Sequence, residues 1–225
     1  MVQQNQVSER EQINSQILAE GLVAIVRVPR PEMVLPLAGA LVAGGIRAVE
    51  LTMSIPNAIE TIRTVDRELG DDILLGVGTV TDDDTCRAAI DAGAKYVISP
   101  IIRPSLVAVA HALERPVMLG AYTPTEAQTA YEAGSDFIKI FPADTLGPGY
   151  IKSLLAPLPH LKIIPTGGVN LDTMEAFLVA GSAALGTGSA LLKNEIVAEE
   201  NWAELERLAK CYADKLANLK SQLGR

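Results

Sequence analysis

A chain of 225 residues, 48% hydrophobic and 20% charged, carries enough apolar content for a sizeable core, and its length fits one domain or at most two, the single domain over residues 1–225 being expected. The net charge of −8 argues against nucleic acid or an anionic membrane surface as a partner, so an anionic ligand would have to meet local positive groups. No apolar run reaches the length of a membrane span, and two cysteines with two histidines are too few for a zinc centre to be expected.

The start of the chain, Met1 to Gln16, is polar and carries Glu9 and Glu11, unlike a signal or transit peptide. Cys86 and Cys211 show no ligand or redox spacing and read as free thiols of a cytoplasmic protein. A helix is predicted near 8–19. Short apolar runs then alternate with longer amphipathic ones. Strands are predicted at Leu22–Arg27, Ala48–Thr52, Ile73–Val77, Tyr96–Ser99, Val117–Gly120, Phe137–Ile140, Lys162–Pro165 and Ala183–Gly186. Helices are predicted over 31–43, 56–69, 81–91, 104–113, 124–132, 148–155, 171–180 and 201–222. Thr81 is expected to cap the helix whose acidic first turn is Asp82-Asp83-Asp84. Ala-Gly recurs at Ala43-Gly44, Ala92-Gly93, Ala133-Gly134 and Ala180-Gly181, where each glycine fits a left-handed helix end before the next strand. His111 and His160 read as ordinary helix and loop residues.

Strands alternating with helices imply right-handed βαβ units and a parallel sheet. Eight such strands in this length fit an α/β fold of the (β/α)8 TIM-barrel type, with the extra N-terminal helix covering its bottom. A doubly wound sheet is the rival. It usually wants a glycine-rich loop after its first strand, whereas this chain has Arg27-Val28-Pro29-Arg30. The barrel core spans about 15–195. The C-terminal helix, about 200–222, places Trp202, Leu205, Leu208 and Leu216 at helical spacing and should pack on it.

Barrel active sites lie at the C-terminal ends of the strands. Lys139 stands there, inside the apolar run Phe137–Pro142, while Lys95 and Lys162 fall at strand starts on the opposite face. Burial disfavours the charged form of a lysine, and a neutral amine attacks carbonyl carbon. The alternative is a lysine that snorkels to the strand end and pairs with a carboxylate. Glu50 is the acidic residue inside an apolar strand, and the period of two puts Ala48, Glu50 and Thr52 on one face, the inward one. A structural Glu50–Lys139 ion pair and an acid/base serving an imine-forming lysine both fit this placement. Arg27 could hold a substrate carboxylate and, by like charge, disfavour the protonated lysine; it could equally be a surface residue. Two glycine turns, Pro165–Val169 and Gly186–Ser189, follow the seventh and eighth strands, where barrels often bind phosphate through main-chain N–H groups and a hydroxyl.

Taken in order, Val-Glu-Leu-Thr (49–52), Gly-Val-Gly-Thr-Val (76–80), Ile-Ser-Pro (98–100), Phe-Ile-Lys-Ile-Phe-Pro-Ala (137–143), Pro-Thr-Gly-Gly-Val (165–169) and Gly-Thr-Gly-Ser (186–189) resemble the 2-keto-3-deoxy-6-phosphogluconate (KDPG) / 4-hydroxy-2-oxoglutarate aldolase family. The resemblance implies a homotrimeric class I aldolase that cleaves a 2-keto-3-deoxy-6-phospho sugar acid to pyruvate and glyceraldehyde 3-phosphate, without metal or organic cofactor. It implies that Lys139 forms the Schiff base and Glu50 shuttles protons. Thr79, Pro100 and Phe141 would shape the pyruvate end, and Thr166, Gly167, Gly168, Gly188 and Ser189 would take the phosphate. The gluconate-type enzymes usually carry an arginine where this chain has Ser54. Arg27 and Leu-Gly-Pro-Gly-Tyr-Ile-Lys (146–152) look more like the 6-phosphogalactonate branch, so Arg27 is expected to take the carboxylate, with gluconate, galactonate and hydroxyglutarate substrates all open. Two rivals stand beside the aldolase: a phosphate-binding barrel isomerase or epimerase, and a non-catalytic sugar-acid-binding barrel.

Overall fold

In the computed structural model, which describes residues 7–224, helix α1 (Glu9–Glu20) leads into β1 (Leu22–Val26). The alternation then runs α2 (Val34–Ala43), β2 (Ala48–Thr52), α3 (Ala58–Leu69), β3 (Leu74–Gly78), α4 (Asp83–Asp91), β4 (Tyr96–Ile98), α5 (Pro104–Ala112) and β5 (Val117–Ala121). It continues through α6 (Pro124–Glu132), β6 (Phe137–Ile140), α7 (Gly147–Leu155), β7 (Ile163–Pro165), α8 (Met174–Val179), β8 (Leu185–Thr187), α9 (Asn194–Ala198) and α10 (Trp202–Leu223). The strands form an 8-stranded parallel sheet in the order β7-β6-β5-β4-β3-β2-β1-β8. A parallel bridge from Thr166 to Gly186 joins its two edges and closes the TIM barrel. The reading of the polar N-terminal stretch falls, for residues 1–6, outside the described residues.

Side-chain parity sorts the strands into two cores. Val23, Ala48, Leu74, Tyr96, Ile98, Met118, Phe137, Ile164 and Ala184 fill the inside of the barrel together with Ile13 and Ile17 of α1. Their neighbours, such as Val49, Leu51, Leu75, Val77, Ile138 and Ile140, pack outward against the helical ring. Strands buried on both faces explain the near-continuous apolar runs of the sequence. α1 begins with a capping box, Ser8 accepting from the Glu11 N–H and Glu11 from the Ser8 N–H, and plugs the bottom of the barrel with Ile13 and Ile17. Asp136, just before β6, fastens it there. The Asp136 carboxylate accepts from Asn14 Nδ2 at 2.8 Å and from the Val117 N–H at 2.9 Å, and it lies 2.8 Å from His111 Nε2. His111, a residue of helix α5 as expected, is part of the plug's anchorage.

Three local expectations are corrected. The cap of α4 is Asp82, whose carboxylate accepts from the Thr85 N–H at 2.8 Å, and not Thr81. Gly93, Gly134 and Gly181 are left-handed as expected, but Gly44 has φ −78° and the left-handed residue is Gly45, at φ 88°. Gly44 has a different duty: a Cβ there would lie 2.5 Å from Ala209 Cβ and 2.6 Å from the Glu206 carbonyl, so its bareness lets α2 touch α10. The short α9 was also missed. Its five residues are too few to show helical periodicity.

Candidate functional site at the C-terminal face of the barrel

β6 and β2 stand on opposite sides of the barrel, and their inward residues meet across it. Lys139 Nζ donates to Glu50 Oε1 at 3.5 Å. The two side chains are 9% and 1% exposed, so the pair is buried, with the lysine nearer the open end. Removing either member would strand a buried charge. Room for the carboxylate comes from β3. A Cβ on Gly78 would sit 1.7 Å from Glu50 Oε1, so Glu50 can lean inward only over a glycine. Glu50, Lys139, Val23, Ile25, Ile98, Met118, Ile164, Thr166 and Gly186 line a cavity of about 10 Å³ inside the barrel. Larger grooves lie elsewhere. One of about 410 Å³ runs beneath α1, lined by Glu9, Arg47 and Lys95 and by neither Lys139 nor Glu50.

Around Lys139 the strand ends supply the other expected residues. Phe141 is half exposed, with the lysine Nζ 5.6 Å from its ring centre. Thr79 follows β3 at φ 63°, a conformation that costs a β-branched residue energy and so marks a place where surrounding structure imposes the geometry. Pro100 crosses the end of β5, and its carbonyl oxygen would be 2.3 Å from a Cβ on Gly120. Arg27 is exposed directly after β1 and makes no ion pair among the described residues. Beside it, the Thr52 hydroxyl donates to the Val26 carbonyl at 3.1 Å and lies 2.8 Å from Ser54 Oγ. Ser54 thus belongs to a tie between the first two strand ends, next to Arg27. The sequence motifs include Gly76, Gly78 and Gly186, but their part in making room for neighbouring side chains, like that of Gly120, was not read from them. The available signal was their inward parity on the strands.

The two glycine turns come side by side because the Thr166–Gly186 bridge joins their strands. Thr166 is buried and its hydroxyl would be 2.4 Å from a Cβ on Gly186. Gly167 and Gly168, at φ 96° and 71°, make a double left-handed turn that glycine adopts without strain. On the other side the Gly188 carbonyl accepts from the N–H groups of Leu191 and Leu192, which folds 188–192 into a tight bend. No hydrogen bond among the described residues takes up the N–H of Gly167, Gly168, Gly188 or Ser189. Main-chain donors are what an anion needs in an acidic protein. Among the described residues, no group of three or more His, Cys, Asp or Glu is gathered as a metal-ligand set.

Comparison with known proteins gives the family and matches the fold. The family described as KDPG and KHG aldolase matches residues 13–208. The 2-dehydro-3-deoxy-phosphogluconate aldolase of Pseudomonas aeruginosa is 32% identical over 87% of this chain and 89% of its own. The 2-dehydro-3-deoxy-6-phosphogalactonate aldolase of Escherichia coli K12 is also 32% identical, over 86% and 95%. Among solved structures, a native KDPGal structure superposes with a TM-score of 0.82 at 30% identity, covering 89% of this chain and 96% of that one. The KDPG aldolase of Legionella pneumophila, holding pyruvate captured as a covalent carbinolamine intermediate, gives 0.81 at 29% identity over 88% and 97%. This chain belongs to the KDPG and KHG aldolase family.

Proposed function

We propose that this protein is a class I aldolase that cleaves a 2-keto-3-deoxy-6-phospho sugar acid to pyruvate and glyceraldehyde 3-phosphate, with Lys139 as the imine-forming residue. The observation that carries the reading is the buried Lys139–Glu50 pair at the C-terminal end of the strands, beside two glycine turns with free N–H groups. The Lys139 amine adds to the C2 ketone, and loss of water gives an iminium. The C3–C4 bond then breaks. Its electron pair forms the enamine, while the C4 hydroxyl proton passes through water to Glu50 and the aldehyde leaves. Reprotonation at C3 and hydrolysis release pyruvate and restore the amine. Thr79, Pro100 and Phe141 shape the pyruvate end. Arg27 takes the substrate carboxylate in place of the arginine absent at Ser54. Thr166, Gly167, Gly168, Gly188 and Ser189 receive the phosphate. The active particle is a homotrimer in the cytoplasm, and the cycle needs neither metal nor organic cofactor.

Borohydride added with pyruvate should attach a reduced pyruvyl group to Lys139, located by mass spectrometry of the digested protein. Unmodified Lys139 in a protein that still turns over would refute the mechanism, and loss of activity with a chelator would favour a metal-assisted one. For the carboxylate, Arg27→Ala should raise KM for the keto acid by tenfold or more, in keeping with loss of a charge-assisted pair worth about 1.5–3 kcal/mol. An unchanged KM would remove Arg27 from the site.

A further inference from the structure

Among the described residues, Tyr96 is the ionisable side chain inside the barrel that the chemistry above leaves unused. It opens β4, faces inward and is fully buried. Strand register places it in one row with the acid/base: Glu50 pairs with Gly76, and Gly76 pairs with Tyr96. The middle residue of that row is bare, and the ring occupies the vacated space. A Cβ on Gly76 would lie 2.1 Å from Tyr96 Cε2 and 2.2 Å from Cζ, the carbon that bears the hydroxyl. The tyrosine therefore reaches across β3 toward Glu50's strand. Its hydroxyl has no hydrogen-bond partner among the described residues. Burial, with the negative charges of Glu50 and Glu20, pushes its ionisation well above the usual tyrosine range, so it stays a donor.

Glu50 needs such a donor when Lys139 stops serving it. At rest the lysine is its hydrogen-bond partner among the described residues. Once the nitrogen becomes an iminium it keeps one N–H of three, and at the enamine it is neutral. A buried carboxylate with no donor is costly. We propose that Tyr96 is a positioning residue that donates to Glu50, directly or through one water, and holds the carboxylate ionised and oriented while Lys139 is covalently occupied. This inference rests on the Schiff-base reading.

The test is Tyr96→Phe, which removes only the orphaned oxygen. Its readout is the exchange of pyruvate methyl protons with deuterated solvent. In that exchange Glu50 accepts a proton from C3 of the iminium, the C–H pair forms the enamine, and a deuteron returns. The variant should keep the wild-type melting temperature and wild-type borohydride trapping on Lys139. Its exchange rate and kcat should fall about tenfold at unchanged KM, and the acidic limb of its pH–rate profile should move up by about one unit, the shift that a tenfold change in one donor's support represents. Wild-type exchange with an unmoved profile would overturn the proposal. So would a loss of kcat explained by a lower melting temperature alone. If the wild-type protein itself resists trapping, the Schiff-base reading fails first, and that result appears before any variant is made.

Discussion

Gly78 illustrates how far single residues control this site. Its missing side chain is the space in which the Glu50 carboxylate stands, 1.7 Å from where a Cβ would be. Gly78→Ala should therefore leave a folded barrel but displace Glu50, and kcat should drop by about 10²–10⁴, the usual worth of a placed acid/base. A circular-dichroism melt beside steady-state kinetics separates the two effects. Thr79→Gly works in the opposite sense. Glycine relieves a φ of 63° and should hold or raise stability by up to about 1 kcal/mol, while loss of the hydroxyl raises KM. An unchanged KM would show that Thr79 binds no substrate. Cys86 supplies a pH dependence. Burial raises its thiol to about 11. An unfolded thiol begins to lose its proton near pH 9 and the folded one only near 11, so this contribution to stability is whole below pH 9 and lost between the two. Denaturant titrations of Cys86→Ala should show a shallower alkaline decline than wild type. Lys139 and Glu50 were legible in the sequence because each is the lone charge of an apolar strand. The glycines beneath them were not, because their meaning depends on which side chain leans over from the next strand.

The elements follow from the alternation of short apolar runs with amphipathic ones, and that pattern sufficed to order the eight strands and every helix but the short α9. Their ends were less legible, because capping is decided by backbone angles. Asp82, extended at φ −146°, outcompetes Thr81 as the cap of α4 because its carboxylate reaches both the N–H and the hydroxyl of Thr85. The Ala-Gly echo likewise hid a division of labour at the end of α2, where Gly45 makes the turn and Gly44 makes the contact. Gly44→Ala should press α10 away from α2, since its new Cβ would meet backbone as well as Ala209. We expect a loss of about 1–3 kcal/mol by chemical denaturation, the typical cost of overpacking, with kcat unaffected because the contact lies on the outer ring.

At the scale of the whole molecule, the barrel is closed unevenly. Seven strand pairs are joined by ladders of two to five registered residues, whereas β7 and β8 share no ladder and meet through the isolated Thr166–Gly186 bridge, the Ala183 N–H donated to the Ile163 carbonyl at 2.8 Å and the Thr187 hydroxyl donated to the Val169 carbonyl at 2.9 Å. The proposed phosphate turns flank this gap, one on each side. An anion held by both would be a clasp across the loosest stave of the cask, so that ligand binding and barrel integrity become one equilibrium. Inorganic phosphate at a hundred times its dissociation constant should then stabilise the fold by about 2.7 kcal/mol. Amide exchange should slow at 166–168 and 186–189 ahead of other strand ends. Protection that spreads evenly around the rim would mean the seam is no weaker than its neighbours.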